Sequence, residues 1–169
     1  MITLPKPHAE IMQKCMTFAD KSAGSSSDEY ARRNQHNLEK IKLDIFRGKV
    51  AEYQVWRYLT EKARVVSPPD IGIYDRYHKS FDADLVCNGA QLHVKSHFKN
   101  GNFPVSWVFQ KRDKLTYAPS DNDYLCLVTM SPDFTSTLRI ERAKDVTYSM
   151  PKKESLRASK VCIYEGDLS

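Results

Sequence analysis

Residues 81–96, FDADLVCNGAQLHVKS, carry the clearest signal of a β-hairpin in the sequence. Polar and apolar residues alternate on both sides of Asn88 and Gly89, a dipeptide that favours the tight turn of a two-residue β-hairpin. We therefore predict two antiparallel strands, 81–88 and 90–96, that are joined at this dipeptide. Two paired strands with one apolar face need further elements to cover that face.

The register of the hairpin sorts its side chains onto two faces, because directly opposed residues point the same way with Cβ atoms about 5 Å apart. We expect Cys87 to oppose Ala90 and Asp84 to oppose His93. One face is wholly apolar and suits a protein core; it holds Ala83, Leu85, Cys87, Ala90, Leu92 and Val94. The other face holds Asp82, Asp84, Val86, Gln91, His93 and Lys95. Two carboxylates, an imidazole and an amine thus share one patch, although the solvated face of any amphipathic hairpin alternates in the same way.

Upstream of the hairpin, residues 29–62 show the periodicity of one long helix. Positions at spacings of three and four form a stripe, namely Leu38, Ile41, Ile45, Gly48, Glu52, Val55 and Leu59. Glu52 lies in the middle of this stripe, where a carboxylate facing a core is costly unless it is paired or binds a cation. Two interpretations stay open. In the first, Glu52 has a purely structural place, either in a buried ion pair with an arginine or exposed by a rotated helix. In the second, it completes the acidic patch of the hairpin.

The remaining segments complete an α/β pattern. We predict a short helix at 5–20, a flexible joint at 21–28 and a central buried strand at 124–130, YLCLVTM. Further strands are expected at 137–140 and 161–164, with helix and loop between 142 and 160. This order predicts an α/β fold in which helices flank a central mixed sheet. We expect a single domain over 1–169, with the helix and joint of 1–27 as an appendage.

Composition restricts the classes of protein that fit. The 169 residues suit one ordinary domain, and no apolar run approaches the roughly 18 residues of a membrane helix. We expect no signal peptide at the N-terminus, and there is no CxxC motif, so we expect a cytoplasmic protein with free cysteines and no membrane contact. The net charge of +5 favours a polyanionic partner, although a basic protein without such a partner fits the charge equally well.

The helix segment GKVAEYQVWRYL, followed by the hairpin, resembles the PD-(D/E)XK nuclease superfamily. In that family a glutamate lies on the first core helix, an aspartate lies on one hairpin strand, and a D/E-x-K triplet lies on the next strand. Glu52 matches the helix glutamate, and Lys95 matches the lysine of the triplet. Asp84 matches the strand aspartate, with Asp82 as the alternative. His93 departs from the pattern, because the family has an acidic residue or sometimes glutamine there.

The resemblance implies a restriction-endonuclease-like core and a metal-dependent DNA endonuclease whose catalytic residues are Glu52, Asp84, His93 and Lys95. Asp84, Glu52 and Asp82 would hold Mg²⁺ or Mn²⁺, hard ions that take oxygen ligands. Lys95 would position the attacking water and stabilise the negative transition state. His93 would ligate the metal or orient water or phosphate, and Asp82 could compensate for the carboxylate that is missing at this position.

The segment 96–114 interleaves cations with aromatic residues, as surfaces that contact phosphates and bases do. We expect DNA, or RNA, to contact Lys99, Gln110, Lys111, Arg112 and Lys114. Trp107 and Phe109 are better explained as core residues of a strand. A homodimer, formed through the N-terminal helix, would allow both DNA strands to be cut. Two alternatives stay open: a non-catalytic nucleic-acid-binding or partner-binding protein on the same fold, whose site has decayed at His93, or an RNA-directed nuclease.

Overall fold

A five-stranded mixed sheet lies at the centre of the computed structural model, which describes residues 1–25, 37–74, 83–100 and 103–168. The strands of the described residues are β1 (Ile2–Leu4), β2 (Leu85–Cys87), β3 (Ala90–Phe98), β4 (Ser106–Gln110), β5 (Asp123–Met130), β6 (Ser136–Arg142) and β7 (Lys160–Tyr164). The central sheet has the order β1-β6-β5-β3-β2, in which β3 and β5 are parallel and the other neighbours are antiparallel. β4 and β7 form a separate antiparallel pair.

The described α-helices are α1 (Ala9–Ser25), α2 (Leu38–Glu61) and the short α3 (Lys114–Tyr117). Single turns of 3-10 helix follow at Ala143–Asp145, Glu154–Leu156 and Glu165–Asp167. The predicted α/β class with a mixed sheet is therefore confirmed. Among the described residues, no helix is long and apolar enough to cross a membrane.

Two hydrophobic clusters cover the two faces of the central sheet. On one face α1 and α2 pack against each other, and α2 contacts β3; Val50 of α2 shares this cluster with Val94 and Cys126. On the other face Trp107 and Phe109 of β4 pack with a separate set of β5 side chains, which includes Leu125 and Leu127. Trp107 and Phe109 are almost fully buried, which confirms that they are core residues of a strand.

The first 25 residues belong to this layered structure. β1, which the sequence pattern did not predict, pairs with β6 at the edge of the central sheet. Cys15 and Ala19 of α1 are fully buried in the cluster on the α2 face. The expected joint at 21–28 is wrong as far as Ser25, because α1 continues through that residue. Its remainder, with the rest of 26–36, lies outside the described residues.

The long helix begins later than its periodicity predicts. Asn37 has an extended backbone, and its side chain accepts a hydrogen bond of 3.0 Å from the amide of Lys40. This is the geometry of an N-cap, so α2 starts at Leu38 and the predicted continuous helix from 29 is wrong at this point. The predicted end at 62 is close to the observed end at Glu61.

The hairpin register is confirmed over the three residues of β2. Cys87 pairs with Ala90 and Leu85 pairs with Leu92. Asn88 and Gly89 both have positive φ, 48° and 83°, as the tight hairpin turn requires. The first strand is shorter than the predicted 81–88; residues 81–82 lie outside the described part of the chain.

The later strands agree with the predicted positions within two residues. β5 is central, between β3 and β6, and every residue from 125 to 130 is buried. β6 and β7 contain the predicted segments 137–140 and 161–164. The four cysteines are free, and Cys15, Cys126 and Cys162 are buried while Cys87 is half-buried.

Candidate active site

Glu52 lies on α2 with a side chain that is only 13% exposed. The ammonium of Lys49, one turn earlier, lies 2.5 Å from the Glu52 carboxylate and also donates a hydrogen bond of 2.7 Å to the carbonyl of Asp70. The expected ion pair is therefore present, with a lysine in place of an arginine. Burial raises the pKa of Glu52 to about 8; the Asp84 carboxylate adds to the rise, and Lys49 opposes it.

Asp84 directly precedes β2, and its carboxylate accepts a hydrogen bond of 2.7 Å from the backbone amide of Val94 on β3. The Asp84 carboxylate thus takes the place of the backbone carbonyl that would accept this hydrogen bond if β2 were longer. Val94 stands between His93 and Lys95 in the chain. Asp84 is therefore held beside the backbone of the triplet, and its charge also reaches Glu52.

His93 and Lys95 point to the other face of β3, because Val94 between them points into the cluster under α2 and side chains alternate along a strand. The Nε2 atom of His93 lies 3.0 Å from the Oδ1 atom of Asp123, and both side chains are 14% exposed. Burial on its own would raise the pKa of Asp123, but hydrogen bonds from Ser120 and His93 outweigh it and lower that pKa.

Lys95 is half-buried, and its ammonium lies 5.6 Å from the centre of the Phe109 ring. This geometry allows a cation–π interaction with β4, the strand that covers this face. Within the described ranges, no carboxylate lies within ion-pair distance of Lys95. Its charge is thus held in place by packing and is not neutralised by a described acid.

The structure groups the four expected catalytic residues into two pairs. Glu52 and Asp84 interact electrostatically on the side of α2, whereas His93 and Lys95 share the side of β4. The hydrogen bond from Val94 to Asp84 connects the two pairs across the backbone of β3. Asp82, the further expected metal ligand, lies outside the described residues.

The donor set fits a hard divalent ion with few protein ligands. In the described part of the chain, no three or more His, Cys, Asp or Glu side chains come together in a group that could hold a metal. Mg²⁺ is usually held by one or two carboxylates, and waters and substrate phosphates complete its coordination. Glu52 and Asp84 supply two such carboxylates, and the charge of Asp84 raises the pKa of Glu52, so a cation between them would be stabilised.

The expected nucleic-acid contacts follow the ends of β3 and β4 in the chain. Gln110 follows Phe109 at the end of β4, and the ammonium of Lys111 donates a hydrogen bond of 2.6 Å to the carbonyl of Arg157. The other expected cations, Lys99, Arg112 and Lys114, are exposed. A polyanion could reach these three side chains without any rearrangement of the core.

Three residues of the site were not predicted. Lys49 carried a signal, because its spacing of three from Glu52 places both side chains on one side of a helix. Asp70 takes part through its carbonyl, for which the sequence holds no marker. Asp123 meets His93 only because β3 and β5 are parallel neighbours, and that pairing joins segments that are distant in the chain.

Comparison with known proteins adds no relative to this picture. No protein-family model matches the chain, and no curated protein matches it. The likeness to PD-(D/E)XK nucleases therefore rests on the helix segment and the hairpin described above.

Proposed function

We propose that this protein is a metal-dependent DNA endonuclease with a restriction-endonuclease-like core. The observation that carries the proposal is the pair of acids beside β3. Glu52 is a buried carboxylate whose pKa is raised to about 8, and Asp84, one cause of that rise, is bonded to the backbone between His93 and Lys95. Two acids that can share a metal, with an unneutralised lysine on the other face of the same strand, are components that metal-assisted phosphodiester hydrolysis uses.

The acidic pair is the proposed metal site. Two carboxylates in a poorly solvated position are costly unless a cation shares them. Mg²⁺ or Mn²⁺ held by Glu52 and Asp84 would supply Lewis-acid stabilisation of the phosphate and a more acidic bound water. Lys49 provides a positive charge to Glu52 in the metal-free protein, and the ordered Asp70 carbonyl gives the ammonium a second acceptor.

The basic pair acts on the water and on the developing charge. The ammonium of Lys95 lies over the ring of Phe109, and no described carboxylate neutralises this ammonium. A fixed positive charge at this position stabilises the extra negative charge on the phosphate oxygens in the transition state. His93 shares this face, so its ring lies on the side where the attacking water would be oriented.

The substrate is proposed to be DNA, bound through its phosphates. Lys99 follows β3 in the chain, Arg112 and Lys114 follow β4, and all three are exposed, while Gln110 adds a polar group at the end of β4. These residues suit backbone contacts, which position a duplex without reading its sequence. The net charge of +5 favours the same class of partner.

A plasmid-nicking assay with Mg²⁺, Mn²⁺ or EDTA tests the proposal. We expect metal-dependent nicking that falls by about 100-fold or more in Asp84→Asn and Lys95→Met. The nicking rate of Glu52→Gln should fall as well. This substitution leaves Lys49 without its partner, so if the variant unfolds, the test depends on Asp84→Asn and Lys95→Met. A dimer would form linear product early, whereas a monomer would accumulate nicked circles first.

Matched controls make this assay specific. Glu61→Gln changes an exposed carboxylate on the same helix, and Asp121→Asn changes an exposed carboxylate far along the chain from β2. Both should keep the wild-type rate, and all variants should keep the wild-type circular dichroism spectrum. Normal nicking by folded Asp84→Asn and Lys95→Met would rule out the proposed catalytic roles.

A second function, non-catalytic binding of nucleic acid or a partner on the same fold, is favoured by one observation. Lys49 already supplies the positive charge that a metal would bring to Glu52. Calorimetric titration with Mn²⁺ separates the two functions, because a decayed site would bind DNA but show no saturable metal binding. Running the nicking assay beside an RNA of equivalent sequence separates DNA cleavage from RNA cleavage.

A further inference from the structure

We propose that Asp123 is a positioning residue that makes His93 the general base of the reaction. This inference rests on the proposed nuclease function and names a role for the residue that departs from the family triplet. It follows from the geometry of two side chains on adjacent parallel strands, β3 and β5. Neither the hairpin nor the helix that carry the resemblance contains Asp123.

Asp123 is held firmly by bonds on both sides. Its Oδ2 atom accepts a hydrogen bond of 2.7 Å from the amide of Ser120, and its own amide donates to the Ser120 carbonyl at 3.2 Å. Its Oδ1 atom lies 3.0 Å from Nε2 of His93. Both side chains are 14% exposed, so water competes little for this contact.

This geometry selects one form of the imidazole. A carboxylate only accepts hydrogen bonds, so Nε2 of His93 must carry the proton that faces Asp123. In the neutral ring Nδ1 then keeps its lone pair. Within the ranges that the structure describes, no group bonds Nδ1, and the ring shares its face of β3 with Lys95. The neutral ring thus offers Nδ1 as its proton acceptor.

The proposed step is a hydrolysis in which the water gives a proton to Nδ1 of His93. The oxygen of that water forms the new bond to phosphorus. The bond from phosphorus to the leaving oxygen breaks, and this oxygen keeps the electron pair and takes a proton from solvent. Asp123 stabilises the imidazolium until His93 returns its proton to solvent. The net change is the addition of one water across one phosphodiester bond.

Asp123→Asn is a sharp test because the amide reverses the hydrogen bonding. The Ser120 amide still needs an acceptor, so the oxygen of the asparagine stays with Ser120 and its NH₂ group faces His93. Nε2 must then accept, and the ring proton moves to Nδ1, where it blocks the base. Asp121→Asn is the matched control, since Asp121 is exposed, lies two residues away and pairs with Lys144.

Two readouts on the full-length protein decide the matter. In metal-free protein labelled with ¹⁵N-histidine, at a pH where the ring is neutral, we expect the Nε2–H form in the wild type and Asp121→Asn, and the Nδ1–H form in Asp123→Asn. Plasmid nicking should fall by about 10- to 100-fold in Asp123→Asn alone, with unchanged KM for DNA.

The outcomes separate this inference from the proposed function. A wild-type ring that carries its proton on Nδ1, or an Asp123→Asn spectrum equal to that of the wild type, would overturn the positioning role. A reversed ring with wild-type nicking would overturn the role of His93 as base. If the wild type cleaves nothing, the nuclease proposal fails with the base role, and the spectra still decide whether Asp123 sets the form of the ring.

Discussion

The surroundings of Glu52 disfavour a charged carboxylate. Its carboxylate is buried and close to a second acid, and the compensating charge comes from Lys49 on the same helix. A residue in this position either holds its proton or has a cation beside it. Both states are consistent with a site that exchanges an internal ammonium for a metal ion during function.

The raised pKa of Glu52 predicts a pH-dependent stability of the metal-free protein. Between about pH 5 and pH 8 the raised pKa makes Glu52 bind a larger share of a proton in the folded protein than in the unfolded chain, so the free energy of unfolding falls as pH rises. The free energy of unfolding should fall more steeply with pH in the wild type than in Glu52→Gln, by on the order of 1 kcal/mol per pH unit. Denaturant unfolding across this range measures it, with Glu61→Gln as control. Equal slopes in wild type and Glu52→Gln would contradict the prediction.

His93 can be assigned a role by separating metal binding from turnover. If it acts on water, His93→Ala should lower the nicking rate by about 100-fold, a typical contribution of a general base, while Mn²⁺ affinity stays near the wild-type value. Asp84→Asn should instead weaken Mn²⁺ binding. Calorimetry and nicking rates on the same preparations provide the comparison. Loss of Mn²⁺ affinity in His93→Ala would identify the imidazole as a metal ligand.

The backbone conformation of the hairpin turn requires a glycine at position 89. Gly89 has φ of 83°, a conformation that side chains with a Cβ rarely adopt, although nothing lies within 4 Å of an added Cβ. We expect Gly89→Ala to lower the free energy of unfolding by about 1 kcal/mol through backbone strain alone. Gly48→Ala, inside α2 and equally uncrowded, should raise it by a similar amount. Thermal unfolding of both variants checks this; a stabilised Gly89→Ala would refute the turn geometry.

Elements with local signals could be predicted from the sequence, whereas contacts between distant segments could not. The register around Asn88 and Gly89 follows from the turn, and the buried strand β5 follows from its apolar run. The start of α2 was misjudged because the Asn37 cap interrupts a periodic pattern. The contact between His93 and Asp123 depends on the parallel pairing of β3 with β5, which no local pattern specifies.

Across the molecule, the candidate site is divided between the two faces of β3, which the two hydrophobic clusters cover. The helices cover one face and supply Glu52, while β4 covers the other and supports Lys95. The exposed cations Lys99, Arg112 and Lys114 follow the ends of these elements. The layered fold thus places an acidic pair and a basic pair on opposite faces of one strand, with the Val94–Asp84 hydrogen bond between them.

This charge distribution predicts salt-dependent binding to DNA. Measured in EDTA, the affinity should fall as salt rises, and Arg112→Ala with Lys114→Ala should reduce the slope of log K against log salt by roughly 2, because each phosphate contact contributes about 0.9. Lys40→Ala with Lys42→Ala on α2 removes the same charge elsewhere and should change the slope less. Equal slopes for the two double variants would show that the residues after β4 do not contact phosphates.

Anomalous diffraction from crystals of the protein soaked in Mn²⁺ would show whether Glu52 and Asp84 form one metal site. We predict an anomalous peak at coordination distance from both carboxylates, with Lys49 displaced from Glu52. A map without a peak there, with the Lys49–Glu52 ion pair intact at saturating Mn²⁺, would rule out a metal site shared by Glu52 and Asp84.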